Sequence, residues 1–191
     1  IEACPFMLMI RHKLIIFFLL ISTSIVFAGN YQSAELDELF QKLAKNHDPS
    51  YGSSLEKKIW KIWSMHHSDQ KLTNKLELGK ELMNNGSYNF ALEVFTNIIK
   101  SDPLWPEAWN ARATLLFYMN DYENSLKDID KVLHLEPRHF GALSGRAQIS
   151  IRLEQYEKAI SDLKKAKKIN PTISGGNLIP ELKKLIKGLN I

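Results

Sequence analysis

Prolines recur at intervals of 34 residues in the second half of this chain, and no other feature constrains its fold as strongly. They stand at Pro103, Pro137 and Pro171. Tyrosines keep the same interval, at Tyr88, Tyr122 and Tyr156. A shift of 34 residues also superimposes small residues, Gly79 on Ala113 and Ala147, and Ala91 on Ser125 and Ala159. This agreement indicates three copies of one structural unit.

Each unit is predicted to consist of two helices joined by a tight turn. One small residue falls in the middle of each helix, where neighbouring helices must approach closely. Turn-forming residues precede each tyrosine, namely Asn85-Gly86-Ser87, Asn120-Asp121 and Glu154-Gln155. The closing proline ends the second helix, because proline cannot continue a helix.

This period and arrangement resemble the tetratricopeptide repeat, which is a helix–turn–helix unit. We place the three repeats at residues 72–105, 106–139 and 140–173. The resemblance implies an all-α fold, a right-handed α-solenoid of three helix pairs. Such arrays need terminal units that cover their apolar ends. We therefore assign residues 29–71 to an N-terminal helical hairpin packed on the first repeat, and residues 174–191 to a C-terminal capping helix.

Residues 1–28 have the pattern of a secretory signal peptide. Basic residues Arg11 and Lys13 precede an apolar run from Leu14, and Ala28 closes a small-x-small site. The run is short for a membrane-spanning helix. With this signal, with Ile59-Trp60-x-x-Trp63 and above all with Glu136-Pro-Arg-His-Phe-Gly-Ala-Leu-Ser-Gly145, the chain resembles small exported tetratricopeptide proteins of Gram-negative bacteria. We expect a periplasmic protein, with a secreted or membrane-anchored one as alternatives.

Two positions change from apolar to charged together between the units. Arg112 and Arg146 replace Leu78 of the first unit, and sixteen residues later Asp128 and Asp162 replace Val94. An interior charge is tolerated only when it is paired. The substitutions therefore predict Arg112–Asp128 and Arg146–Asp162 ion pairs, and a contact between Asp128 and Arg146 would link two units.

The residues typical of catalysis do not occur here at catalytic spacings. Ser144 would need glycines two residues before and after it to form a nucleophile elbow, but Ala142 and Arg146 stand there. His66 and His67 are adjacent on a predicted helix, so their rings should point about 100° apart, unlike a zinc-binding pair. We expect no catalytic site, no metal, no cofactor and no enzymatic activity.

The resemblance implies a ligand surface in the concave groove formed by the first helices. The groove residues would be Lys80, Met83, Asn84, Asn110, Thr114, Phe117, Tyr118, Ser144, Gln148 and Arg152. These side chains suit an extended peptide or a helix, although packing between repeats would explain them equally. Some relatives clamp a C-terminal carboxylate, but Ala111, Gly141 and Gly145 occupy several of the clamp positions. Arg138 and His139 have no structural explanation and join the candidate partner-binding residues.

The formal net charge of +4 is modest, but the C-terminal end of the chain is rich in lysine. The residues are Lys164, Lys165, Lys167, Lys168, Lys183, Lys184 and Lys187. They form either a solvated helix face or a contact with an acidic partner or anionic lipid. We expect membrane contact only through the signal segment or through these lysines, and we expect no nucleic acid partner.

The sequence leaves three classes of function open. The first is a periplasmic scaffold that binds a peptide or protein in its groove. The second is a secreted protein that uses the same groove on a host partner. The third is an enzyme, which would require a site that these motifs do not show.

Overall fold

The structure is a computed structural model that describes residues 30–189. The predicted signal segment, residues 1–28, lies outside the described residues. Among residues 30–189 there are nine α-helices, one short 3-10 helix and no strand. None of these helices is both long and apolar enough to cross a lipid bilayer. Of the described residues, 39–189 belong to one compact unit and 30–38 to a separate one.

The helices follow one another in pairs. The N-terminal pair is α1 (Asn30–Lys45) and α2 (Pro49–Ser64). The three pairs of the repeats are α3 (Gln70–Asn84) and α4 (Tyr88–Ser101), α5 (Pro106–Tyr118) and α6 (Tyr122–Leu135), and α7 (Phe140–Arg152) and α8 (Tyr156–Ile169). A 3-10 helix (Ser174–Leu178) leads into α9 (Ile179–Leu189), which buries Leu182 against α8.

The turn within each repeat has the same backbone conformation. Gly86, Asn120 and Glu154 are 34 residues apart, and their φ angles are 76°, 61° and 57°. This left-handed region suits glycine and is tolerated by asparagine, whereas glutamate adopts it at a cost. Each turn places a tyrosine at the first position of the next helix.

Small residues allow the two helices of each repeat to approach closely. A Cβ on Gly79 would overlap the ring of Phe95, a fully buried residue of α4. In the next repeat the Ser125 hydroxyl donates a hydrogen bond to the Ala113 carbonyl at 2.8 Å, which connects α6 directly to the α5 backbone. Both contacts confirm the role assigned to the small positions.

The N-terminal pair extends well beyond the first repeat, because α2 lies along the turns that join one repeat to the next. The Trp63 carbonyl accepts a hydrogen bond from Trp105 Nε1 at 2.8 Å, and the Trp63 ring stacks on His139 with centroids 4.0 Å apart. Asn170 Nδ2 donates to Glu56 Oε1 at 2.6 Å at the third such turn. Besides the first repeat, on which the pair was expected to pack, α2 therefore also contacts the second and third inter-repeat turns.

Both predicted arginine–aspartate pairs are confirmed. Arg112 Nε and Nη2 donate to the two carboxylate oxygens of Asp128 at 2.7 and 2.8 Å. Arg146 makes the same two-pronged contact with Asp162, at 2.8 and 2.9 Å. These hydrogen bonds to Asp162 outweigh partial burial and raise the pKa of Arg146.

The predicted contact between Asp128 and Arg146 is replaced by one from a neighbouring residue. Arg146 Nη1 donates to Asp130 Oδ1 at 2.9 Å, so Arg146 connects α6 to α8. One repeat earlier, Arg112 Nη1 donates to Thr96 Oγ1 at 3.2 Å in the equivalent position. Each arginine therefore joins the second helices of two successive repeats.

We expect Arg112→Leu to lower the free energy of unfolding, because it leaves the carboxylate of Asp128 buried without its partner. Removing one member of a buried pair typically costs about 3–5 kcal/mol. We expect a cost at the lower end of this range, because the Arg112 side chain is 19% exposed to solvent. Adding Asp128→Val should recover much of the loss. Urea unfolding of both variants measures this, and a double variant no more stable than Arg112→Leu would contradict the coupling.

Candidate functional site

Six of the predicted groove residues surround one cavity of about 370 Å³ between α5 and α7. They are Asn110, Thr114, Phe117, Tyr118, Ser144 and Gln148. Residues of α5 and α7 face each other across it because successive first helices are neighbours, and Ile129 of α6 contributes an apolar side chain. A volume of this size lies in the range of pockets that bind small ligands or single side chains.

The aromatic side chains of the cavity differ in their exposure. Tyr118 is 53% exposed, whereas Phe117 is half-buried against Tyr118 and Tyr122, with ring centroids 5.9 and 5.7 Å away. Of these two predicted groove residues, only Tyr118 is largely exposed. Phe117 forms a wall of the cavity, and Tyr118 lies at its open side.

Polar groups of α5 and α7 are held in place around the cavity. Thr114 Oγ1 donates to the Asn110 carbonyl at 2.9 Å, and Asn110 Nδ2 donates to Glu107 Oε2 at 3.0 Å. Gln148 is exposed. The Ser144 hydroxyl is buried, and among the described residues it has no hydrogen-bond partner. Asn110, Thr114 and Gln148 are therefore better placed than Ser144 to meet a ligand.

Two glycines of α7 border the cavity for different reasons. A Cβ on Gly141 would lie 2.6 Å from Trp60 Cη2, so the indole ring occupies the space that a side chain would need. A Cβ on Gly145 would meet one atom within 4 Å, Ile129 Cδ1 at an ordinary 3.8 Å. Close packing thus requires glycine at position 141, whereas the glycine at position 145 leaves the cavity open.

Trp60 is a residue of the site that the sequence did not identify. It belongs to α2, outside the repeats, yet it lines the cavity beside Gly141. Its ring packs edge-on against His139 and Phe140, with centroids 5.3 and 5.7 Å away. The only signal was the spacing of Trp60 and Trp63 on one helix, which indicated an apolar face but not what that face would meet.

The remaining groove candidates lie away from this cavity. Lys80 and Asn84 line a separate depression on α3, and Met83 is half-buried against the core of the first repeat. The Lys80 ammonium donates to Ser64 Oγ at 3.0 Å and lies 3.3 Å from Glu107 Oε1. Arg152 is exposed in the last turn of α7. The predicted surface is therefore divided, and Lys80 helps to hold α2 and α5 together.

Arg138 and His139 have structural roles, which corrects their assignment as residues without a structural explanation. Arg138 donates to both carboxylate oxygens of Glu136 at 2.9 Å, and its guanidinium lies 4.4 Å from the centroid of the Phe40 ring. His139 is 0% exposed, and its Nδ1 accepts the Ala142 N–H at 3.0 Å as the N-cap of α7. His139 is consequently inaccessible to a partner.

His66, His67 and Asp102 cluster at the end of α2, where the helix assumed from the sequence has already ended. The two histidine rings stack with centroids 4.7 Å apart, so the predicted divergence of about 100° is wrong. His66 Nδ1 accepts the Asp69 N–H at 2.9 Å, which leaves the proton on Nε2 for donation to Asp102 Oδ2 at 2.8 Å. Nε2 thus connects the end of α2 to the first inter-repeat turn, and Nδ1 binds the N-cap residue of α3. A metal ion at Nε2 would have to displace the bond to Asp102.

Comparison with known proteins agrees with this architecture. A family model for the tetratricopeptide repeat matches residues 110–172. Residues 110–172 contain tetratricopeptide repeats. A TPR repeat-containing protein from Rhizobium etli is 36% identical over 114 residues, which cover 60% of this chain and 55% of that protein. The chain therefore spans about half the length of this relative.

Solved tetratricopeptide domains share the fold. One is the first TPR domain of Spaghetti (RPAP3) bound to the HSP90 peptide SRMEEVD, with a TM-score of 0.59 and 21% identity over 64% of this chain and 98% of that one. Another is the Sgt2 TPR domain from Aspergillus fumigatus, with a TM-score of 0.59 and 17% identity over 64% and 83% of the two chains. At these identities the likeness shows an all-helical tetratricopeptide solenoid and nothing about the ligand.

The two glycines of α7 should respond in opposite ways to the same substitution. Gly141→Ala should lower the melting temperature, because the new Cβ would displace the half-buried Trp60 ring. Gly145→Ala should raise the free energy of unfolding by up to about 1 kcal/mol, since alanine is the better helix former and the space is free. Thermal unfolding of the two variants compares them directly, and equal shifts would contradict the packing of Trp60 on Gly141.

Proposed function

We propose that this chain is an exported, non-catalytic scaffold that binds a peptide or a protein segment in the groove of its repeats. The observation that carries the proposal is the convergence of six predicted groove residues on the cavity between α5 and α7. Aromatic surface beside polar groups is typical of surfaces that bind peptides. The solved neighbours support this use of the fold, because two of them are complexes with HSP90 and HSP70 peptides.

Export is the second part of the proposal and depends on the N-terminal sequence. A basic stretch, an apolar run and a small-x-small site ending at Ala28 favour cleavage before Gly29. The mature protein would then begin just before α1 and would contain no cysteine, since Cys4 is the one cysteine of the chain. We place the scaffold in the periplasm, and the alternative is secretion to act on a host partner.

Partner capture with matched variants tests the groove. The groove variant carries Phe117→Ala and Tyr118→Ala, which remove aromatic surface of the cavity. The control carries Tyr51→Ala and Phe90→Ala, which remove aromatic side chains that are 48% and 67% exposed and do not line the cavity. After crosslinking in cells, a specific partner should be recovered about tenfold less with the groove variant than with the control. Equal recovery by both variants would contradict binding at the groove.

Fractionation and N-terminal sequencing test export. The chain expressed from Met9 with a C-terminal tag should appear in the periplasmic fraction of a Gram-negative host, with Gly29 as its first residue. Recovery in the culture medium without lysis would favour the secreted alternative. An uncleaved protein in the membrane fraction would show that the apolar segment is an anchor.

A further inference from the structure

We infer that the occupant of the cavity between α5 and α7 is an uncharged peptide segment that inserts one bulky apolar side chain between Trp60 and Gly145. This inference rests on the proposed function and specifies the partner of the same site. The occupant inferred here differs from the acidic peptide SRMEEVD that is bound to one of the solved neighbours.

The charge of the cavity supports an uncharged occupant. Among the described residues, none of those that line the cavity carries a formal charge. The polar groups are amides and hydroxyls, which can donate to or accept from a peptide backbone without a charge on either side. A carboxylate placed here would lose its hydration without gaining a cation, and this is unfavourable in a half-enclosed site.

Cations elsewhere on the first helices do not make the lining of the cavity positive. The Lys80 ammonium lies between Glu107 at 3.3 Å and Glu77 at 3.4 Å, so its charge is already compensated. Arg146 is held by the carboxylates of Asp130 and Asp162. Arg112 is paired to Asp128 in the same way. Arg152 of α7 is exposed, but it does not line the cavity.

The shape of the cavity supports a bulky apolar side chain. Ala113, Ile129 and Ile149 supply an apolar interior, and Phe117 and Trp60 supply aromatic walls. The absence of a side chain at Gly145 leaves space that packing within the protein does not use, because a Cβ there meets only one atom at 3.8 Å. A side chain from a partner would fill that space and bury its own apolar surface.

Trp60 adds a wall that the repeats do not provide. The ring is fixed by its contacts with Gly141, His139 and Phe140, so it does not need to be ordered when a ligand binds. Its indole ring therefore limits the size of the side chain that the cavity admits. The helix pair outside the repeats thereby influences which segment the groove selects.

A phage-displayed library of random heptapeptides provides the probe, in two formats on the full protein without its signal segment. One format embeds the heptapeptide between flanking residues, and the other ends in a free carboxylate. We expect enrichment in the embedded format, with one large aliphatic or aromatic residue among uncharged neighbours. Affinities of the selected synthetic peptides, acetylated and amidated, are then measured by calorimetry.

Filling the cavity from within tests where these peptides bind. Gly145→Leu should weaken binding by about tenfold or more, because its side chain occupies the space that the ligand would use. Thr114→Leu adds bulk from α5 and should act in the same direction. The control Gly188→Leu adds the same side chain at an exposed glycine of α9 whose Cβ would meet no atom within 4 Å, and it should leave the affinity unchanged. Circular dichroism and melting verify the fold of each variant.

The outcomes separate this inference from the proposed function. Selection of acidic peptides with a free carboxylate would overturn the inference but leave a peptide-binding groove. Uncharged peptides whose affinity is unaffected by Gly145→Leu and Thr114→Leu in folded protein would also overturn it. Failure to enrich any peptide in either format would count against the proposed function itself.

Discussion

Trp63 contacts two successive inter-repeat turns at once, and the position of α2 depends on this contact. Its carbonyl accepts the indole N–H of Trp105, and its ring stacks on His139, which occupies the equivalent position one repeat later. Glu56 continues the row by accepting from Asn170 at the third turn. A repeat array contacts mainly its own neighbours, so its stability is local. A helix that lies across three turns adds contacts that connect distant repeats.

The candidate site follows from the same arrangement. Because Trp63 and His139 hold α2 in place, Trp60 reaches the end of the cavity and packs where Gly141 has no side chain. The cavity is therefore formed by two repeats and by a helix that is not part of any repeat. Its electrostatic character also depends on the fold, since Arg112 of α5 and Arg146 of α7 are paired with aspartates of α6 and α8. The side chains that line the cavity are uncharged.

Some of the site could be predicted because the repeats provide an internal comparison. Leucine-to-arginine and valine-to-aspartate changes occur together in the second and third units, and a buried charge requires a partner, so the two ion pairs were foreseeable. The same reasoning was wrong about the link between units, where Asp130 takes the place assigned to Asp128. Sequence spacing identifies which helices meet, but the direction of each side chain decides which residue of a helix makes the contact.

The sequence alone determined the helix pairs, their turns and the small residues at their contacts, because each depends on local conformation and on a period that is visible in the chain. Tertiary structure decided the rest. Arg138 and His139 have no explanation in the sequence. In the fold Arg138 lies over Phe40 and His139 stacks on Trp63, and both partners come much earlier in the chain. Gly141 and Gly145 look alike in sequence, yet only Gly141 faces the ring of Trp60. Contacts between residues far apart in the chain depend on how helices dock, and local sequence patterns do not predict that docking.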